Sequence, residues 1–170
     1  MSVAEVIKNR YSCRKYADKP IEKEKLDMIM DAARLVPSAK NLQDWRFVLV
    51  TDEKGRQDLA AAACEQMFLA QAGAIIVACG VDDYVMRGGQ KIGTIDISIA
   101  LEHIALQATE LGLATCWIGS YDTVKVHEVL GIPKNVEIIE LMGLGYPANE
   151  IREKKRMENK EIFCLEKWAF

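Results

Sequence analysis

Apolar and polar positions alternate with both helical and strand periods along this chain. Val3, Val6 and Ile7 keep helical spacing and stop at Asn9, which predicts a short opening helix. Tyr16-Ala17-Asp18-Lys19-Pro20 reads as an extended connection, because the residue before a proline is pushed out of the helical region. Leu26, Ile29, Met30 and Ala33 recur at i, i+3, i+4 and i+7 and predict a second helix, with Glu22 and Glu24 in its first turn and Pro37 at its end. Phe47-Val48-Leu49-Val50 has the length of a strand, and Thr51-Asp52-Glu53-Lys54-Gly55 reads as the turn beyond it. Residues 57–71 are helical in composition, in one or two pieces, and Gly73 opens a second buried strand over 74–79. The strongest helix runs over 94–111, where Ile97, Ala100, Leu101, Ile104, Ala105, Ala108 and Leu111 form a stripe that Ile95, Ile99 and Leu106 widen. A helix apolar over so wide an arc is buried on more than one side, which in a short chain predicts a subunit interface. Gly112 caps it; a strand over 114–118, a short helix capped by Asp122 and ended by Gly131, and a strand over 136–144 follow.

At 170 residues, half of them hydrophobic, the chain suits one domain with a sizeable core. Its net charge of −3 carries no bulk footprint for nucleic acid or an anionic membrane, so local basic clusters must have local partners. The apolar run over 68–81 is broken by Gln71 and too short to span a bilayer, and the first residues lack a signal-peptide pattern, so a cytoplasmic location is expected. Cys13, Cys64, Cys79, Cys116 and Cys164 are scattered without a C-x-x-C and read as free thiols. With only His103 and His127 beside them, no metal-ligand spacing emerges. Residues 82–93 are polar and glycine-rich and predict a mobile loop. Gly88 to Thr94 superficially fits a phosphate-binding P-loop but lacks its lysine.

Chemistry concentrates in three stretches. Arg10-Tyr11-Ser12-Cys13-Arg14 places two guanidinium groups and a hydroxyl at the exit of the first helix, donors suited to a phosphate. Pro37-Ser38-Ala39-Lys40-Asn41-Leu42-Gln43-Asp44-Trp45 is the second stretch and Lys154-Lys155-Arg156 the third. No nucleophile–base pair stands out, and no G-x-G-x-x-G follows a strand, so hard chemistry needs a cofactor that is not bound in the Rossmann manner. A mononucleotide flavin suits these donors.

The order R-x-S-x-R, P-S-x-x-N-x-Q-x-W, a long helix ending in Gly-Leu, then K-x-R resembles the FMN-dependent nitroreductase family from about Ala4 to Trp168. The resemblance implies an α+β three-layer sandwich, with a mixed, mainly antiparallel sheet of four or five strands flanked by helices, in an intertwined homodimer. The chain would be a single FMN-binding domain over 1–170, with 149–170 as an arm over the partner subunit. It further implies an oxidoreductase passing electrons from NADH or NADPH through bound FMN to nitroaromatic, quinone or similar small-molecule acceptors by a ping-pong mechanism, with no catalytic side chain. Arg10, Ser12, Lys154 and Arg156 would hold the FMN phosphate, beside Tyr11. Arg14 would reach the pyrimidine edge. Pro37, Ser38 and Asn41 would come from the other subunit, with Ala39 and Gln43 of the same stretch also binding the cofactor, and the amides of Ile118 and Gly119 would lie at the reactive edge. Asp44 stands where the family often carries proline, and residues 82–93 are shorter than in many relatives, which predicts an open acceptor pocket. A non-catalytic flavin sensor, or another flavin reaction such as reductive dehalogenation, is the alternative.

Overall fold

A computed structural model describes residues 1–82, 84–149 and 154–170. Its elements are α1 (Val3–Asn9), α2 (Lys23–Arg34), β1 (Trp45–Val50), α3 (Glu53–Ala62), β2 (Ala74–Gly80), α4 (Ile92–Glu110), β3 (Ala114–Ile118), α5 (Thr123–Leu130), β4 (Glu137–Gly145) and α6 (Asn159–Ile162). Four strands form one sheet in the order β1-β2-β4-β3.

Strand β2 shows why the molecule has three layers. All seven of its residues are buried, so both faces must be covered. Ala74, Ile76 and Ala78 pack in the core under α2 and α4, while Ile75, Val77 and Cys79 pack in the second core, with Leu59 of α3 and Val126 of α5. The small alanines lie on the α4 side, where the 19-residue helix comes close to the sheet. That helix ends in a Schellman motif: Gly112 at φ 76° donates to Thr109 O at 3.1 Å, and Leu113 donates to Ala108 O at 2.8 Å. Ile95, Ile99 and Leu106, which widen its apolar arc, are only half-buried within the chain.

The first 20 residues form a strap along one end of the sheet. Cys13 N–H donates to Thr115 O at 2.8 Å, Ala17 N–H to Tyr146 O at 2.8 Å, and Ala148 N–H to Lys15 O at 2.9 Å. Tyr16 lies flat against β4, where a Cβ on Gly143 would meet its hydroxyl oxygen at 2.9 Å and a Cβ on Gly145 would meet its ring at the same distance. Glycine at both positions is what lets the strap seat.

The expectation of a mainly antiparallel sheet is borne out, and one local expectation is corrected. Among the described residues, the strand pairings are antiparallel and parallel contact is confined to the isolated bridge Ser12–Thr115. The stretch 51–55 is not a turn: Asp52 accepts from Gly55 N–H at 2.8 Å and starts α3 at Glu53, so its turn-like composition is a capped helix start. Residues 57–71 break between α3 and a 3-10 turn over Met67–Gln71, with Cys64 and Glu65 at positive φ in between. In the predicted loop, Met86 N–H donates to Gln90 O at 2.9 Å and Val85 bridges Lys91, closing a tight turn.

Candidate functional site

Helix α1 ends at Arg10, whose extended backbone (φ −57°, ψ 132°) turns the chain off the helix axis and along β3. The Ser12–Thr115 bridge keeps the next residues extended, so Cys13 points inward and is fully buried while Ser12 and Arg14 face outward. Arg14 is close enough to Cys116 to pull its thiol down against the burial that raises it. Tyr11 donates its hydroxyl to Asn149 O at 3.3 Å, and burial is the main cause that pushes its pKa up to about 12.

From the far end of the chain, the Lys154 ammonium donates to the carbonyls of Lys8 and of Ile7, the latter at 3.4 Å. It therefore sits at the negative end of α1. Arg10 Nε lies 3.3 Å from Glu102 of α4. The Lys154 pKa is nonetheless lowered, first by burial and then by the charges of Arg10 and Arg156, with Glu102 pulling the other way. Among the described residues, three cations thus stand near one opposing carboxylate, an arrangement that calls for an anion. Pole and charge count suit a phosphate.

Strand β3 delivers Ile118, buried, and then Gly119, exposed, at its end. A Cβ on Gly119 would lie 3.6 and 3.7 Å from the two carboxyl oxygens of Glu140 on β4. Next to it, Ser120 O accepts from Gln66 Nε2 at 3.1 Å, and the Ser120 hydroxyl contacts the Cys64 sulfur at 3.5 Å.

The second stretch lies elsewhere. Ala39 N–H donates to Asp96 of α4 at 2.9 Å, and Gln43 N–H to Ser38 Oγ at 3.0 Å. Lys40, Asn41 and Gln43 all adopt positive φ, between 51° and 56°. Pro37 and Asn41 are exposed. Among the described residues, no hydrogen bond or ion pair joins residues 37–43 to Arg10, Ser12, Arg14, Lys154 or Arg156 within the chain. Asp44, at the end of this stretch, is only 2% exposed, and neither carboxyl oxygen has a hydrogen-bond partner. Its pKa is raised by burial, with Asp96 and Asp82 adding to the rise.

Three acids here escaped the sequence: Glu102, Asp96 and Glu140. Each is a charge set inside an otherwise apolar helix or strand, and that interruption was the available signal. A cavity of about 600 Å³ lined by Tyr16, Lys19, Ile21, Arg56 and Gly73 opens away from all three stretches, and no predicted site residue lines it.

Known proteins give the arrangement a context. A model of the nitroreductase family matches residues 7–92 and 65–146. A protein of Archaeoglobus fulgidus named as an NADH dehydrogenase/NAD(P)H nitroreductase is 34% identical over 169 residues, covering 96% of this chain and 97% of that one. The FMN reductase [NAD(P)H] of Bacillus subtilis is 28% identical, covering 93% of this chain and 72% of its own length. The crystal structure of a nitroreductase family protein from Clostridium difficile 630 superposes with a TM-score of 0.90 at 33% identity, over 99% of this chain and the whole of the other.

Proposed function

This chain belongs to the nitroreductase family, and on that premise we propose that it is an FMN-dependent NAD(P)H oxidoreductase whose phosphate pole is formed by Arg10, Lys154 and Arg156. The observation that carries the reading is the gathering of Arg10 and Arg156 around Lys154 at the end of α1, where burial first and then their charges lower the Lys154 pKa, a crowding that a bound phosphate would relieve. The residues present therefore fit the cofactor, and the FMN reductase from Bacillus subtilis lends support by its name. When bound, FMN would supply the two-electron hydride chemistry that no side chain here can perform.

The chain's own contribution is binding and orientation. Arg10 and Lys154 would give charge-assisted hydrogen bonds to the phosphate, with Ser12 adding a hydroxyl and Tyr11 and Arg156 flanking the pole. Arg14 would present a fixed positive charge at the pyrimidine edge, where negative charge grows on reduction. The backbone at Ile118 and Gly119 would line the reactive edge, where the Gly119 amide would donate while the Ile118 amide serves the Glu140 carboxyl. The nicotinamide donor and a nitroaromatic, quinone or similar acceptor would use the same opening in turn, in a ping-pong cycle.

We also infer a homodimer. Phe163, Leu165, Trp168 and Phe170 are 57–91% exposed, an apolar run that one chain leaves bare. As an arm over a partner subunit they would be buried, and Pro37, Ser38, Ala39, Asn41 and Gln43 would face the partner's flavin. An absorbance spectrum of the purified protein before and after anaerobic addition of NADH or NADPH tests the activity. Flavin bands that bleach are expected, and a colourless protein that takes up no added FMN would end the proposal.

A further inference from the structure

Glu140 is an acid with no role in the function just described. It lies in β4 between Ile139 and Leu141, in a run that is otherwise apolar up to Gly145. The register shift between Ala78 and Cys79 leaves Ile139 as the extra residue and sets Glu140 opposite Ala78, on the α4 face of the sheet. On that face it reaches the end of β3, where its carboxyl oxygens stand 3.6 and 3.7 Å from the position of a Cβ on Gly119. One oxygen, Oε1, is enclosed and has no hydrogen-bond partner, and among the described residues no cation is paired with this carboxyl.

The groups around it leave its charge unopposed. Cys116 of β3 and Tyr121, which follows β3, are titratable groups that feel its charge, and burial is the main cause that raises both, Tyr121 to about 12. Beyond Tyr121 stand Cys79 of β2, pushed up to about 11 by burial, and Glu137 of β4, which pairs with Lys91 at 3.2 Å. None of these supplies a positive charge to Glu140, and among the described residues neither Arg14, which acts on Cys116, nor Lys91, which pairs with Glu137, forms an ion pair with it. Burial raises its own pKa from the ordinary 4.5, partly offset by the amides of Ile118 and Leu141. Both amides are neutral donors, so the carboxyl responds readily to any charge that appears beside Gly119.

We propose that Glu140 is a positioning residue that takes up a proton from solvent when the redox group held against Ile118 and Gly119 is reduced, and so couples its potential to pH. This rests on the functional reading above, which places FMN at Gly119. The electron pair comes from the nicotinamide donor and the proton from water, and the only bond formed on Glu140 is its O–H. Negative charge gained beside a half-buried carboxylate favours its neutral form, and by linkage the neutral form eases reduction.

The test is a spectroelectrochemical titration of the FMN-bound protein across acidic and neutral pH, with Glu140→Gln and, as a control, the exposed, ion-paired Glu137→Gln. The native protein and Glu137→Gln should show an interval in which the potential falls more steeply, by up to one extra proton per electron pair, and Glu140→Gln should lack it. Reduction-induced infrared difference spectra of the native protein should gain a carboxylic-acid band, a readout independent of whether the variant folds. Parallel potential curves for native protein and Glu140→Gln, or no such band, would overturn the inference while leaving the FMN assignment intact. A protein that binds no FMN would overturn both.

Discussion

Arg10 is the residue on which the proposed phosphate pole turns, because it caps α1, faces Glu102 and crowds Lys154 at once. Arg10→Ala should weaken FMN retention by about 1.5–3 kcal/mol, the worth of a hydrogen bond to a charged group, measured by fluorescence titration of the apoprotein. Asp44 makes a different prediction. Its folded pKa lies above the ordinary 3.8, so its neutral form is the one the fold prefers. The associated stability is complete below the unfolded value and is lost as pH rises through the folded one. Asp44→Asn, which cannot ionise, should flatten the fall in Tm over that window in thermal melts. The cation cluster was legible in sequence as R-x-S-x-R and K-x-R. The burial of Asp44 was not, because it arises from the start of α4, where Gly93 approaches its carboxyl so closely that a Cβ would stand at 3.2 Å.

Among the elements, α4 was the most readable, since its apolar arc and Gly112 are both local signals. Its Schellman closure holds Gly112 at φ 76°, where a side chain meets the backbone. Gly112→Ala should cost about 1–2 kcal/mol, measured by urea unfolding. β3 was readable to the residue and β4 to within one, because strands buried on both faces appear as continuous apolar runs bounded by glycine or polar residues. The start of α3 was misread because Asp52 and Gly55 serve a helix cap as well as they serve a turn. The 37–43 segment was legible only as a motif. Three non-glycine residues at positive φ in one short stretch cannot be inferred from composition, and the stretch is tied at Ala39 to Asp96, far along the chain.

At the scale of the whole molecule, the half-buried Ile95, Ile99 and Leu106 and the bare aromatic tail both support the homodimer proposed above. Light scattering should give twice the chain mass, and deletion of residues 158–170 should shift it toward the monomer and lower flavin content. A monomeric full-length protein that binds FMN normally would refute the arm. The strap along β3 and β4 carries one more implication. Lys154 reaches the carbonyl of Lys8 across 146 positions of sequence, and the strap aligns with the sheet's end only once Tyr146 and Ala148 are there to pair with it. On a translating ribosome, Arg10 therefore emerges on the order of ten seconds before its fellow cations. Nascent chains arrested short of Lys154 would lack the proposed phosphate pole, so cofactor binding would wait for that lysine to emerge.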